Sequence, residues 1–278
     1  MLPSLLLALR EGLEAALIIG IVLGALQKIQ RSDLKATVWR GVGSAALLSV
    51  LTAIALNLVG ASLEGTAEEI YEGITMLLAA GVLTWMVFWM QRQAQTIKSE
   101  LEGDVRRAIL QNGGWALFSL AFLAVLREGV ELALFLTATT LTSTAQQTLI
   151  GALLGLAIAM VLGWLLFAST VKLNLRRFFQ VTSALLLLFA AGLVAHGVHE
   201  FNEVGWIPPI IEHVWNINPI LDENSTIGML LKALFGYNGN PSLSEVIAYV
   251  VYAAAIIITL VRSSTSIPTT REVRQTST

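Results

Sequence analysis

The chain has 278 residues, 55% of them hydrophobic and 13% charged, with a mean hydropathy of +0.73. These are values of a membrane protein rather than a soluble domain, and the absence of cysteine excludes disulfides, thiolate metal sites and cysteine nucleophiles. The net charge of −2 says little as a sum, nothing in the chain calls for nucleic acid, and the N-terminus lacks the basic region of a cleavable signal peptide.

Seven apolar runs follow one another at 3–26, 38–61, 70–90, 115–141, 147–170, 179–199 and 244–261. Each is near or above the ~20 residues a membrane-crossing helix needs. The linkers alternate in charge. Lys28, Arg31, Lys35 and Arg40 follow the first run, Arg92, Lys98, Arg106 and Arg107 the third, and Lys172, Arg176 and Arg177 the fifth. Arg262, Arg271 and Arg274 follow the last, whereas the intervening linkers hold mainly acids and only Lys232 among the bases. Basic loops stay on the cytoplasmic side, which predicts the N-terminus outside and the C-terminus in the cytoplasm. An odd number of spans requires the same opposition of ends.

The first run carries Arg10-Glu11-Gly12-Leu13-Glu14 at its centre, and the fourth carries Arg127-Glu128-Gly129-Val130-Glu131. Charge at that depth costs about 2.5–3.5 kcal/mol per residue, so a chain that spends it twice in the same letters uses those charges. One Arg would neutralise one Glu, and a second Glu is left over both times. Residues 8–17 and 125–134 agree at seven of ten positions, and Leu77-Leu78-Ala79-Ala80-Gly81 is echoed by Leu188-Phe189-Ala190-Ala191-Gly192. The expected fold is therefore an all-α integral membrane protein of seven transmembrane helices: two inverted three-helix repeats, about 3–90 and 115–199, plus a seventh helix at 244–261. This unit spans 1–262, with an outer loop at about 200–243 and a disordered cytoplasmic tail at 263–278. Inverted repeats of this kind place substrate near the midplane in secondary transporters.

Gly20/Gly24 and Gly151/Gly155 are GxxxG pairs that let helix backbones approach, and Gly12 and Gly129 sit where a neighbouring helix must come near for carboxylates to converge. The stretch 92–112 mixes both signs and reads as a surface helix. The loop 204–243, with Pro208, Pro209, Pro219, Trp206 and Trp215, reads as interfacial helices or a cap.

Positions three apart share a helical face, so Glu11 pairs with Glu14 and Glu128 with Glu131, while Arg10 and Arg127 each precede one of these acids by four. Facing each other, the six side chains sum to −2, which suits a hard cation such as Mg, Ca, Mn or iron. A second constellation, His196, His199, Glu200 and Glu203, lies on one stripe at the outer end of the sixth run, with Glu69 and Glu72 opposite on the third. Imidazole with carboxylate suits Fe(II), Mn(II) or Zn(II), and the stripe reads as an outer capture site. A membrane-embedded metalloenzyme is the reading of a different class, but the chain lacks HExxH, cysteine and paired histidines on two helices for haem.

With these motifs, the chain resembles the high-affinity iron permease family, the oxidase-dependent iron transporters, and most of all their bacterial ferrous-iron branch. The resemblance rests on the two Arg-Glu-x-x-Glu motifs, on Gly81–Met90, and on Phe235-Gly236-Tyr237 before Pro241-Ser242 and Ser244-Glu245. It implies a non-enzymatic permease of the cytoplasmic membrane importing iron as Fe2+ or Fe3+, with no cofactor beyond the transported ion. It implies that Glu11, Glu14, Glu128 and Glu131, with Arg10 and Arg127, bind iron in passage. It also implies that Glu69/Glu72 and Glu200/Glu203 accept it from a partner, a separate extracytoplasmic oxidase or iron-delivery protein. A broader divalent transporter of Mn2+ or Zn2+ shares the architecture and differs in cargo.

Overall fold

The computed structural model describes residues 1–93, 101, 103–105, 107–108, 114–168, 174–223 and 225–265, and among these it is all-helical. The helices are α1 (Leu2–Lys28), α2 (Lys35–Ala61), α3 (Thr66–Gln93), α4 (Gly114–Thr142), α5 (Ala145–Ala168), α6 (Leu175–Glu203), α7 (Thr226–Phe235) and α8 (Leu243–Thr265). Five stretches are long and apolar enough to cross a membrane: Ser32–Ala61, Thr66–Met90, Ala145–Phe167, Arg177–Glu203 and Leu243–Arg262. The remaining long helices, α1 and α4, have 27 and 29 residues and carry the two charged motifs.

The two ends of the bundle are built differently. At one, here the upper end, α1, α3, α5 and α8 start and α2, α4 and α6 finish. Helix α7 belongs to this end. Ser225 caps it by accepting from the Gly228 amide at 3.0 Å, and Gly236 ends it in the left-handed conformation at φ 67°. Gly236 then lies against Gly192 in the middle of α6, so close that a Cβ on Gly192 would stand 2.6 Å from the Gly236 Cα. The loop expected to hold interfacial helices is thus turns plus one ten-residue helix that leans on α6. The expected surface helix over 92–112 lies largely outside the described residues. Of its described part, Val105 and Ala108 are buried against Val22, Leu26, Val38 and Leu117 at the lower end. The tail beyond residue 265 also lies outside them.

The most extensive pairings are α1 with α5, α2 with α4, and α3 with α6. The first two are equivalent position for position. Gly151 of α5 meets Met1, Ser4 and Leu5 of α1, while Gly41 of α2 meets Phe118, Ala121 and Phe122 of α4. The alignment that sets Arg10 on Arg127 sets these three contacts on each other in order. Gly12 packs on Leu156 and Ala159 of α5, and Gly129 packs on Ser49 of α2. Each half of the chain therefore lends its first helix to the other half. The surfaces that receive them are stripes of small residues at four-residue spacing: Gly151, Gly155, Ala159 and Gly163 on α5, and Gly41, Ala45 and Ser49 on α2. Lipid tails are as apolar as leucine, so burial alone does not pull such helices together; close backbone contact does. Of the expected Gly20/Gly24 pair, only Gly20 is a contact, under the Phe167 ring, and a Cβ on Gly24 would meet nothing within 4 Å. Helices α3 and α6 cross where Gly73 faces Gly197 and Phe201.

This packing predicts unequal costs for glycine substitutions. In Gly155→Val a Cβ would stand 2.9 Å from both the Ala8 Cβ and the Leu9 amide nitrogen, and nearer still to the Leu5 carbonyl. Overpacking costs about 1–3 kcal/mol, so thermal unfolding of this variant in detergent should begin at distinctly lower temperature, while Gly24→Ala should match wild type.

Candidate functional site

Helices α1 and α4 cross at their charged motifs. Three features of the local sequence determine what happens there. The four-residue offset from each Arg to the second Glu puts the two on one helical face. Arg10 Nε stands 3.1 Å from Glu14 Oε1, and Arg127 Nε donates to Glu131 Oε1 at 2.9 Å. Gly12 and Gly129 remove the side chains that would hold α5 and α2 away, so both motifs are pressed inward. Leu9, just before the motif, and Leu13, within it, pack on Ala159 and close the α5 side.

The first Glu of each motif has no such partner on its own helix. Glu11 is 1% exposed and Glu128 5%. Carboxylate oxygens of Glu11, Glu128 and Glu131 lie within 4.8 Å of one another, the one group of three potential metal ligands among the described residues. Neither Glu11 oxygen has a hydrogen-bond partner, nor do Oε2 of Glu128 and Oε2 of Glu131. Arg127 approaches Glu128 only to 3.9 Å. Leaving such acceptors buried and unpaired is expensive, and carboxylates this close repel one another in a medium of low dielectric. A hard cation among them would relieve both penalties at once, and the donor set is all oxygen. The six motif side chains carry four negative and two positive charges, a sum of −2.

The surroundings keep this cluster dry. On the upper side lie Leu7, Met76, Leu83, Met86 and Phe135, all 2% exposed or less. On the lower side lie Val22, Leu26, Val38 and Leu117. The two arginines are not in equivalent settings. Arg10 is wholly buried, and its Nη2 reaches Met90 Sδ at 3.5 Å. Arg127 is about one-third exposed, and its guanidinium carbon stands 4.3 Å from the centre of the Trp89 ring and 5.6 Å from that of Trp85.

The upper residues are dispersed. His196 is buried with Nδ1 2.9 Å from the Gly192 carbonyl oxygen. His199 Nδ1 stands 3.0 Å from Glu245 Oε1, and its Nε2 is 4.0 Å from Glu203. Glu200 lies within electrostatic reach of Glu72 and Glu69 across the α3–α6 contact, and of His199 and Glu203 on its own helix. Glu72 also lines a cavity of about 220 Å³ with Glu68, Tyr71, Asn57, Thr137 and Thr140. Of the expected stripe, His199, Glu200 and Glu203 thus stay within electrostatic reach of one another, while His196 is buried beside Gly192.

Glu245 was not among the residues expected from the sequence to serve a site. It is 3% exposed, yet unlike Glu11 it is fully engaged: Asn238 Nδ2 donates at 2.8 Å and the Ser242 amide at 3.0 Å, with His199 on the same oxygen. The Glu245 amide in turn donates to Ser242 Oγ at 3.3 Å. This is a capping box at the start of α8, written in the sequence as Ser242-Leu243-Ser244-Glu245. Asn202 reaches over to Ser244, tying α6 to the same turn. The aromatic pair under Arg127 and the small-residue stripe of α2 were also missed.

The pattern of the iron permease FTR1 family matches residues 1–267, and the chain belongs to that family. It is similar to the ferrous iron permease EfeU of Escherichia coli O6:K15:H31, with 38% identity over 264 residues, covering 94% of this chain and 95% of the relative. EfeU of Shigella sonnei is 38% identical over 261 residues, 93% of this chain and 94% of its own. EfeU of Yersinia pestis is 36% identical over 261 residues, 93% of this chain and 92% of its own. No solved structure matches. The chain is accordingly a multi-pass membrane protein of a transport family and not an enzyme.

Removing one partner of the buried Arg10–Glu14 pair leaves an uncompensated charge, at a cost of about 3–5 kcal/mol. Arg10→Met should therefore lower the unfolding temperature in detergent sharply, and the double substitution Arg10→Met with Glu14→Gln should recover most of the loss.

Proposed function

We propose that the protein imports iron across the cytoplasmic membrane, binding the ion at the crossing of α1 and α4. The observation that carries the reading is the trio Glu11, Glu128 and Glu131, two buried carboxylates and a third largely enclosed, with unpaired oxygens at one point between two apolar layers. Buried ionisable groups within a membrane bundle belong to an ion pathway by default, and a cluster with net negative charge selects cations. Arg10 and Arg127 hold Glu14 and Glu131 and keep that charge low enough to bury, so that the ion completes the balance. Membership of an iron permease family, and relatives named as ferrous iron permeases, support iron as the cargo.

In this reading the chain crosses the membrane seven times, with the upper end outside and the C-terminus in the cytoplasm. Helices α1–α3 and α4–α6 are inverted copies, α8 is the seventh span, and the equivalent contacts of Gly41 and Gly151 support the internal repeat. Iron is delivered at the outer end by a separate oxidase or delivery protein. Glu69, Glu72, Glu200 and Glu203, with His196 and His199, form a dispersed polar surface at that end which accepts it. The ion then passes to the carboxylates and leaves inward as the two halves rock about it.

Radio-iron uptake into proteoliposomes tests the site. Glu128→Gln keeps the shape of the side chain and removes its charge, and uptake should fall at least tenfold, whereas equal uptake would make the motifs braces alone. Reducing and oxidising conditions separate Fe2+ from Fe3+, and competition by Mn2+ or Zn2+ reports selectivity. The absence of native cysteine gives a clean test of orientation. In whole cells an impermeant maleimide should label Ser62→Cys, between α2 and α3, and leave Ser32→Cys, between α1 and α2, unlabelled.

A further inference from the structure

The echo that begins at Leu77 and Leu188 continues past its glycine into unlike residues. Carried on in register, it sets Trp85 on His196, Trp89 on Glu200 and Met90 on Phe201. Thus α6 bears an imidazole and a carboxylate where α3 bears two tryptophans. The two helices run antiparallel, so these unlike ends lie at different heights of the bundle. The polar end is the upper one, and the aromatic end sits at the level of the motif arginines.

There the aromatic pair does something that no described residue of α6 does in return. Trp85 and Trp89 stack with their ring centres 6.1 Å apart and their planes 25° from parallel. Together they present a face to the Arg127 guanidinium, which lies 4.3 Å from the centre of the Trp89 ring. A guanidinium is planar, weakly hydrated and attracted to an indole face, most strongly to tryptophan. With the guanidinium carbon beside the ring, Nε donates to Glu131 Oε1 at 2.9 Å and lies 3.9 Å from Glu128 Oε1. Arg10 is sealed instead: it is wholly buried, with its own Nε 3.1 Å from Glu14 and its Nη2 3.5 Å from the Met90 sulfur.

We propose that Trp89, backed by Trp85, is a positioning residue for cation binding: it holds the Arg127 guanidinium by its face, so that Arg127 engages Glu131 through Nε and leaves Glu128 and Oε2 of Glu131 open to the ion. Without that ring the forked nitrogens of Arg127 turn onto Glu128 and Glu131 and compete with the cation for the same oxygens. The consequence falls on apparent affinity rather than on the rate at saturation, because an arginine displaced by the ion no longer obstructs transport. The inference rests on the reading that these carboxylates hold the transported ion.

The test is initial radio-iron uptake by the full-length protein in proteoliposomes, measured against iron concentration under the redox condition in which wild type transports. Trp89→Leu should raise the half-saturating concentration five- to tenfold with the maximal rate within twofold. Trp89→Phe, which keeps a weaker aromatic face, should raise it two- to threefold. In the Arg127→Lys background, where the planar fork is gone, Trp89→Leu should shift it by less than twofold further. An unchanged half-saturating concentration in Trp89→Leu, a loss confined to the maximal rate, or the full shift persisting in Arg127→Lys overturns the proposal. If Trp89→Leu does not insert into liposomes, Trp89→Phe alone decides, and a wild-type value there overturns it. Glu128→Gln is measured alongside. Wild-type uptake by that variant brings down the carboxylate reading itself. Its loss together with unshifted Trp89 variants brings down only the role of the ring.

Discussion

The structure depends on one electrostatic constraint: four glutamates and two arginines must share a buried point between α1 and α4. Two of the acids are met by arginines on their own helices, at the cost of one turn of spacing. The other two are not, and an unpaired carboxylate in a low-dielectric interior is tolerated only where something else completes the charge. The arrangement of the neighbouring helices follows from this. Glycines 12 and 129 bring α5 and α2 against the motifs, and the apolar layers containing Leu7 and Leu26 exclude water from above and below. A site open to water would have lost the electrostatic leverage that burial confers.

Glu11 and Glu245 show that burial of an acid does not by itself define a site. Both are almost inaccessible. Glu245 accepts from Asn238 and from the Ser242 amide and lies against His199, so its charge is spent on holding α8 and α6 to the turn before α8. Glu11 has neither oxygen paired. The difference is one of satisfaction rather than depth, and it separates a structural carboxylate from one available to a cation. The same comparison explains why the histidine-bearing end of α6 is dispersed: His199 is already engaged, and His196 lies by the Gly192 carbonyl.

The interlocking of the two halves couples each motif helix to the helix that receives it. Because α1 lies on the stripe of α5 and α4 on that of α2, a motif helix shifts only if its receiving helix shifts with it. Near-symmetry is broken at the arginines. Arg10 is sealed beside Met90, whereas Arg127 lies part-exposed over two tryptophans, so one brace is fixed and the other has room to move.

Much of this was legible in the sequence, because its strongest signals are local. Helical periodicity, the penalty for charge in an apolar run and the Arg-to-Glu spacing act within one helix, so the helical class, the two motifs and the pairs Arg10–Glu14 and Arg127–Glu131 follow from residue order. The repeat of the motif told of two related halves for the same reason. What only the tertiary structure decided are the relations between helices distant in the chain. Nothing in the order of residues says that α1 packs on α5 rather than α2, that Gly24 faces open space while Gly155 faces a backbone, or that Trp89 lies over Arg127. The stripe of His196, His199, Glu200 and Glu203 shares one helical face by count, but that count does not say that Gly192, Glu245 and the α3 acids would be its neighbours. The choice of partner is set by packing and electrostatics summed over several helices, and that sum exists only once the chain has folded.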